Sequence, residues 1–235
     1  MINKNSSKAK LLIIVPTLNS YRDLPKLISS LKNQTFQEWR VIFIDGNSTR
    51  THREYLKKIC SDDEKFNWKV QKDHKGGIFG AMNEGFIQVK ANELLLFWGS
   101  DDWLPSSNSL SVALNKFDKI KNEYGYIDIF ICKSRYFSLK KNLLTRHSYF
   151  IKKNKLISYF YFKLLLFIGR TPPHQTTFLS NSCREKINSF SEEYKLSADL
   201  NFFLKLSVFK DIKIYNFDHT LLYLSEGGVS GIKTF

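Results

Sequence analysis

This chain of 235 residues predicts an α/β fold with a mostly parallel central sheet flanked by helices. Three observations predict it. Short apolar runs alternate with amphipathic helical stripes over roughly the first 120 residues. The runs are apolar at successive positions, as in strands covered on both faces. The resulting strand–helix alternation calls for parallel pairing through right-handed crossovers.

The elements follow in order. Leu11–Val15 is a buried strand closed by Pro16. Leu24, Leu27, Ile28 and Leu31 fall at helical spacing within a helix over 21–33. Val41–Ile44 is a second strand, followed by the turn-rich Asp45-Gly46-Asn47-Ser48 and a polar helix near 51–60. Residues 68–71 form a third strand, and Ile78, Ala81, Met82, Gly85, Phe86 and Val89 a helical stripe. Glu93–Trp98 is the fourth strand. Beyond it the pattern loosens, with a helix expected over 198–208 and late strands at 212–214 and 220–224. No repeat or linker interrupts the chain, so a single domain over 1–235 is expected, with a first half of about 10–120 and an elaborated second half of about 121–235.

Three strand ends carry chemistry. The first emits Pro16-Thr17-Leu18-Asn19, small hydrogen-bonding residues on an exposed loop. The second emits Asp45, a carboxylate able to accept from a sugar diol or a base N–H, beside Gly46, which lets the backbone turn next to a ligand. The fourth emits Asp101-Asp102. Adjacent carboxylates repel unless a cation shares them, so a divalent ion facing a phosphate suits the pair; taken alone, the dipeptide is equally a solvated turn. Three such ends at the carboxyl edge of one sheet point to a nucleotide crevice. Gly76-Gly77 before a helix gives a diphosphate access to free N–H groups. Their spacing matches neither the dinucleotide fingerprint nor a phosphate loop, which sets both aside.

Composition narrows the class. Apolar residues make up 43% and charged residues 25%, as in a folded globular protein. Cys60, Cys132 and Cys183 are odd in number and widely spaced, which fits a reducing compartment better than a disulfide framework or a zinc site. The run after the polar N-terminus is too short for a signal-peptide core. The longest apolar stretch, 156–169, is broken by Lys163 and falls short of the roughly 20 residues a span needs. The formal net charge of +14 is concentrated: no acidic residue occurs between Asp128 and Glu185. Such a block attracts an anionic membrane, a lipid phosphate or a nucleic acid, or simply keeps a basic protein soluble.

Taken together, Val15-Pro16-Thr17-Leu18-Asn19, Asp45-Gly46-Asn47-Ser48-Thr49, the run from Lys75-Gly76-Gly77 to Asn83-Glu84-Gly85, and Ser100-Asp101-Asp102 resemble family 2 glycosyltransferases, in particular the subgroup that builds bacterial surface polysaccharides such as O-antigen lipopolysaccharide and capsule. The resemblance extends past residue 220. It implies a GT-A fold, Rossmann-like, with an acceptor-side C-terminal elaboration. It also implies a nucleotide-diphosphate sugar donor, with uridine the base most used in the family, a divalent metal (Mn²⁺ or Mg²⁺) and inversion at the anomeric carbon. Carried over by motif, Pro16, Thr17, Asn19 and Asp45 would hold the nucleoside, Asp101 would reach the ribose or the metal, and Asp102 would bind the metal. Lys75 and Asn83 would lie along the donor, and His174 and Gln175 on the acceptor side. Asp199 stands at the position of the general base, although an Asp at a helix start is also a common cap. Glu226-Gly227-Gly228-Val229-Ser230 resembles the subgroup's terminal motif, read as a lid or as a flexible tail. Gly80 departs from the pattern, since the subgroup often carries an acidic residue there, which leaves donor-sugar identity open.

The expected reaction is hexosyl or N-acetylhexosaminyl transfer to a polyprenyl-diphosphate-linked glycan. The basic, aromatic 156–169 segment would rest on the inner face of the cell membrane, or alternatively form a core helix or an oligomer contact. Nucleic-acid binding through the same segment is the competing class, but it leaves the carboxylate-tipped strands without a role. No nucleic-acid partner is expected.

Overall fold

The computed structural model describes residues 10–73, 76–194 and 197–226. The first half alternates as its periodicity predicts: β1 (Lys10–Thr17), α1 (Leu24–Lys32), β2 (Trp39–Asp45), α2 (Arg50–Asp62), β3 (Phe66–Val70), α3 (Gly77–Phe86) and β4 (Glu93–Phe97), after which comes a helix the sequence reading does not name, α4 (Ser109–Tyr124). The second half contains β5 (Ile129–Ser138), β6 (Leu143–Ser148), β7 (Lys155–Ile157), α5 (Tyr159–Phe167), a 3₁₀ turn (His174–Thr176), β8 (Thr177–Leu179), α6 (Asn181–Lys186), α7 (Ala198–Leu206) and β9 (Ile214–Ser225).

Among the described residues the strands form one sheet in the order β3-β2-β1-β4-β8-β5-β9-β7, with β6 paired to β5 off this line. β3, β2, β1 and β4 are parallel neighbours; β8 joins β4 and β5 antiparallel, while β9 returns parallel to β5. Side chains alternate across the sheet, so two apolar layers form. On one face Leu11, Ile13, Val41, Phe43 and Leu96 pack with Leu27 and Leu31 of α1 and Leu114 and Phe117 of α4. On the other, Leu12, Ile14, Ile44 and Phe97 pack with Met82 and Phe86 of α3, Phe162 of α5 and Phe202 of α7.

Three local expectations are corrected. Pro16 does not close β1, which runs on to Thr17. Pairing with β4 ends at Ile14, so the missing N–H of Pro16 breaks no bond on that side. The two expected late strands are one, β9, which carries the buried Asn216 in its interior. Its amide donates to the Ile151 and Lys153 carbonyls at 3.0 and 2.8 Å, so a polar residue is accommodated without breaking the strand. The 156–169 stretch is not one helix: β7 takes its start, and α5 buries Phe162, Leu165 and Leu166 while exposing its other face.

Candidate active site

Sheet order brings the carboxylate-tipped ends together. β2, β1 and β4 are adjacent, and Thr17 is in register with Asp45. Thr17 is buried, and its hydroxyl has no protein partner among the described residues. Asn19 adopts φ 53°, donates its backbone N–H to Ser48 Oγ at 2.8 Å, and accepts from the Thr49 N–H through Oδ1 at 2.9 Å. It therefore ties the first two strand-end loops together.

At the end of β2, Asp45 is fully buried. Both its oxygens accept from the Ser48 N–H at 3.2 Å, and Arg53 Nε donates to Oδ2 at 3.0 Å. Arg53 also reaches Asn47 Oδ1. His52 Nε2 lies 3.8 Å from Asp45 Oδ1, and burial holds its imidazole below the usual range. The turn beside the crevice is made by Asn47, at φ 71°, rather than by Gly46 as expected; a Cβ on Gly46 would meet the Thr17 carbonyl at 3.4 Å. Just past β3, the buried Gln71 gives its N–H to the Asp45 carbonyl at 2.8 Å and its amide to the Asp73 and Gly77 carbonyls at 2.8 and 2.9 Å. Sequence reasoning missed Arg53, His52 and Gln71. The available signal was a polar residue closing the one strand end left unread, and a basic side chain in the first turn of a helix, where the dipole disfavours it.

Past β4 the Gly99 N–H donates to Asp102 Oδ2 at 2.7 Å. A Cβ on Gly99 would come within 2.8 Å of Asp101 Oδ1 and 3.1 Å of Asp102 Oδ2, so only glycine leaves room for both carboxylates. Burial and the neighbouring Asp101 charge raise Asp102 well above the usual carboxylate range; burial, with Asp23 adding repulsion, raises Asp101. Among the described residues neither carboxylate has an ion-pair partner, and no cluster of three metal-ligating side chains occurs. The pair fits a divalent cation held by few protein oxygens, with diphosphate and water completing its shell.

The His174–Thr176 turn is tethered to the end of β4 and to β5. Trp98 Nε1 donates to the Gln175 carbonyl at 2.9 Å, and Thr176 Oγ1 to the Cys132 carbonyl at 2.8 Å. His174 Nδ1 stands 3.8 Å from Oδ2 of Asp199 in the first turn of α7, a charge contact rather than a hydrogen bond. Burial pushes the Asp199 carboxyl up, but His174 and the Leu200 N–H outweigh it and hold the group below its ordinary value. Asn83 is committed to the far segment: its amide donates to the Phe190 carbonyl at 3.0 Å and Glu192 Oε1 at 2.8 Å, and accepts from the Phe190 N–H at 2.7 Å. Lys75 and Gly227–Ser230 lie outside the described residues.

A carboxyl edge of parallel strands that gathers one compensated and two uncompensated acidic side chains is the arrangement of an α/β protein of the GT-A type. Residues 12–181 match the model of glycosyl transferase family 2, and the chain belongs to that family. All the sequence-assigned site residues except Asp199 fall within that match. The chain is 33% identical over 121 residues to a GalNAc(5)-diNAcBac-PP-undecaprenol beta-1,3-glucosyltransferase of Campylobacter jejuni, covering 52% of this chain and 37% of that protein. It is 30% identical over 99 residues to a PGL/p-HBAD biosynthesis glycosyltransferase of Mycobacterium tuberculosis, covering 42% and 38%. The chain thus spans well under half the length of these relatives. Among solved structures, S. aureus TarS 1-349 in complex with UDP-GlcNAc superposes with a TM-score of 0.71 at 22% identity, covering 92% of this chain and 58% of that one. The mannosyltransferase PcManGT of Pyrobaculum calidifontis, in complex with GDP-Man and Mn2+, gives 0.65 at 11% identity, covering 95% and 59%. The fold is GT-A.

Proposed function

We propose that this chain transfers a sugar, with inversion, from a nucleotide-diphosphate donor to a lipid-linked glycan acceptor in surface polysaccharide synthesis. The observation that carries it is that Asp45 and the Asp101-Asp102 pair close the two strands flanking β1, with the Asp199–His174 pair tied to the end of β4 through Trp98 and Gln175. Likeness to a relative named for a PP-undecaprenol-linked glycan and to a fold bound to UDP-GlcNAc supports a UDP-sugar and a polyprenyl-diphosphate acceptor.

Asp45, held by Arg53, receives the base or ribose, with Thr17 Oγ1 free to join it. Asp101 and Asp102 would hold a divalent cation, which when bound would supply positive charge to offset that of the departing diphosphate. Asp199, kept ionised, takes the proton from the acceptor hydroxyl. That oxygen attacks the anomeric carbon from the face opposite the diphosphate, and the carbon–oxygen bond electrons leave on the β-phosphate. His174 orients Asp199 and takes up part of its charge change. The acceptor's lipid places the enzyme on the inner membrane surface.

Titration with UDP, GDP and dTDP, with and without Mn²⁺, tests this proposal. Metal-dependent binding of one nucleotide, lost in Asp102→Asn, is expected. Binding by none would overturn it.

A further inference from the structure

Between the β6–β7 segment and α5 lies a cavity of about 330 Å³ lined by Tyr149, Lys152, Lys153, Lys155, Tyr161 and Arg170. Its lining holds four cations and no acidic residue. Among the described residues none of the four forms a salt bridge. Asp218, whose N–H bonds Asn154 in the cavity's loop, has its carboxylate taken by Lys133 at 2.8 Å. Four unneutralised cations repel one another, yet the fold holds them together. Asn216 fixes the loop through the Ile151 and Lys153 carbonyls. Arg170 is fixed by the end of α5, where Gly169 turns at φ 79° and the N–H groups of Gly169 and Arg170 bond the Leu166 and Leu165 carbonyls at 2.9 Å each. Lys152 and Lys155 lie over the rings of Tyr149 and Tyr161 at 5.0 and 4.8 Å, which occupies those aromatic faces.

The same helix presents Phe160, Leu164, Phe167 and Ile168 to solvent, with Phe160 82% and Phe167 87% exposed. Their spacing puts them on one face, opposite the buried Phe162, Leu165 and Leu166. An apolar stripe adjoining a cationic cavity matches the two layers of a bilayer surface, acyl chains below and phosphates above. A nucleic acid would find the tyrosine faces already covered and the aliphatic stripe without use.

We propose that this cavity binds the phosphate of an anionic phospholipid while the Phe160–Ile168 stripe enters the acyl boundary, so that the two form a specific membrane anchor. The inference rests on the lipid-linked acceptor proposed above.

Flotation with phosphatidylcholine vesicles containing or lacking phosphatidylglycerol tests it, using the full chain. Binding is expected only with the anionic lipid. Lys152→Gln/Lys153→Gln/Arg170→Gln should weaken it about a hundredfold, near fivefold per charge. Phe160→Ser/Phe167→Ser, at exposed positions, should weaken it at unchanged charge and unchanged circular dichroism. Lys57→Gln/Lys58→Gln on α2, also exposed, serves as the charge control. Loss equal to that of the control pair, per charge removed, would show non-specific attraction and overturn the anchor. So would release by inorganic phosphate at constant ionic strength, preferential binding of a single-stranded oligonucleotide, or a concentration-dependent dimer abolished by the Ser variants. UDP titration of the parent chain separates the two proposals: a parent that binds the nucleotide yet leaves anionic vesicles unbound sinks the anchor alone.

Discussion

The ends of β2 and β4 hold buried carboxylates that solve the same electrostatic problem in opposite ways. Asp45 is neutralised by the protein itself, through Arg53 and the Ser48 N–H. Asp102 receives one backbone N–H, from Gly99, and faces the like charge of Asp101. A compensated carboxylate is pre-organised to recognise a neutral group; an uncompensated one stores repulsion that a proton or an incoming cation relieves. One sheet edge thus carries a carboxylate balanced by the protein and a pair that is not.

Removing the carboxylate proposed as the base, which belongs to neither end, should give the largest effect. Asp199→Asn is expected to lower kcat by about a thousandfold with UDP and Mn²⁺ affinity unchanged. A single-turnover assay beside calorimetry checks this, and a parallel loss of nucleotide affinity would move Asp199 to the donor side.

Arg53→Ala makes the β2 end resemble the β4 end by leaving Asp45 unpaired. Because Arg53 is partly exposed, we expect a loss of about 2 kcal/mol, below the range for fully buried pairs, measured by urea unfolding. Added Mn²⁺ should not rescue it.

Asp102→Asn performs the reverse change. The native carboxyl titrates above its unfolded value, so the native state holds its proton more tightly and stability falls as pH rises through that interval. At neutral pH the variant should therefore be more stable than the parent by about 1 kcal/mol, or roughly 2–4 °C in Tm. It should also lose any Mn²⁺-induced gain. In the parent, metal affinity should weaken on acidification from a higher pH than an ordinary carboxylate would give.

Glycine substitutions give the sharpest contrast, and one of them the smallest effect. Gly99→Ala drives a methyl into both β4 carboxylates and should abolish metal binding, whereas Gly46→Ala meets ordinary contacts and should change stability by about 0.5 kcal/mol or less. Equal tolerance at the two positions would erase the distinction between the ends.

Much of the first half was legible because its signals are local. Apolar runs and helical spacing placed every element from β1 to β4, and strand ends named Thr17, Asp45, Asp101 and Asp102. Arg53, His52 and Gln71 were not legible. Their partner is Asp45, and only folding α2 and β3 back against β2 makes them neighbours. Asn83 was read toward the donor, but its amide bonds a segment more than a hundred residues away.

The sequence by itself determined the α/β class, the parallel order of the first strands and the acidic tips of two of them, because periodicity and strand-end chemistry are properties of short windows. Tertiary structure alone decided which carboxylate is neutralised and which is not, that Trp98 ties the Gln175 turn to β4, and that α5 divides into a core face and an exposed one. Charge balance and burial depend on what distant segments bring to a point in space, and no local window contains that information.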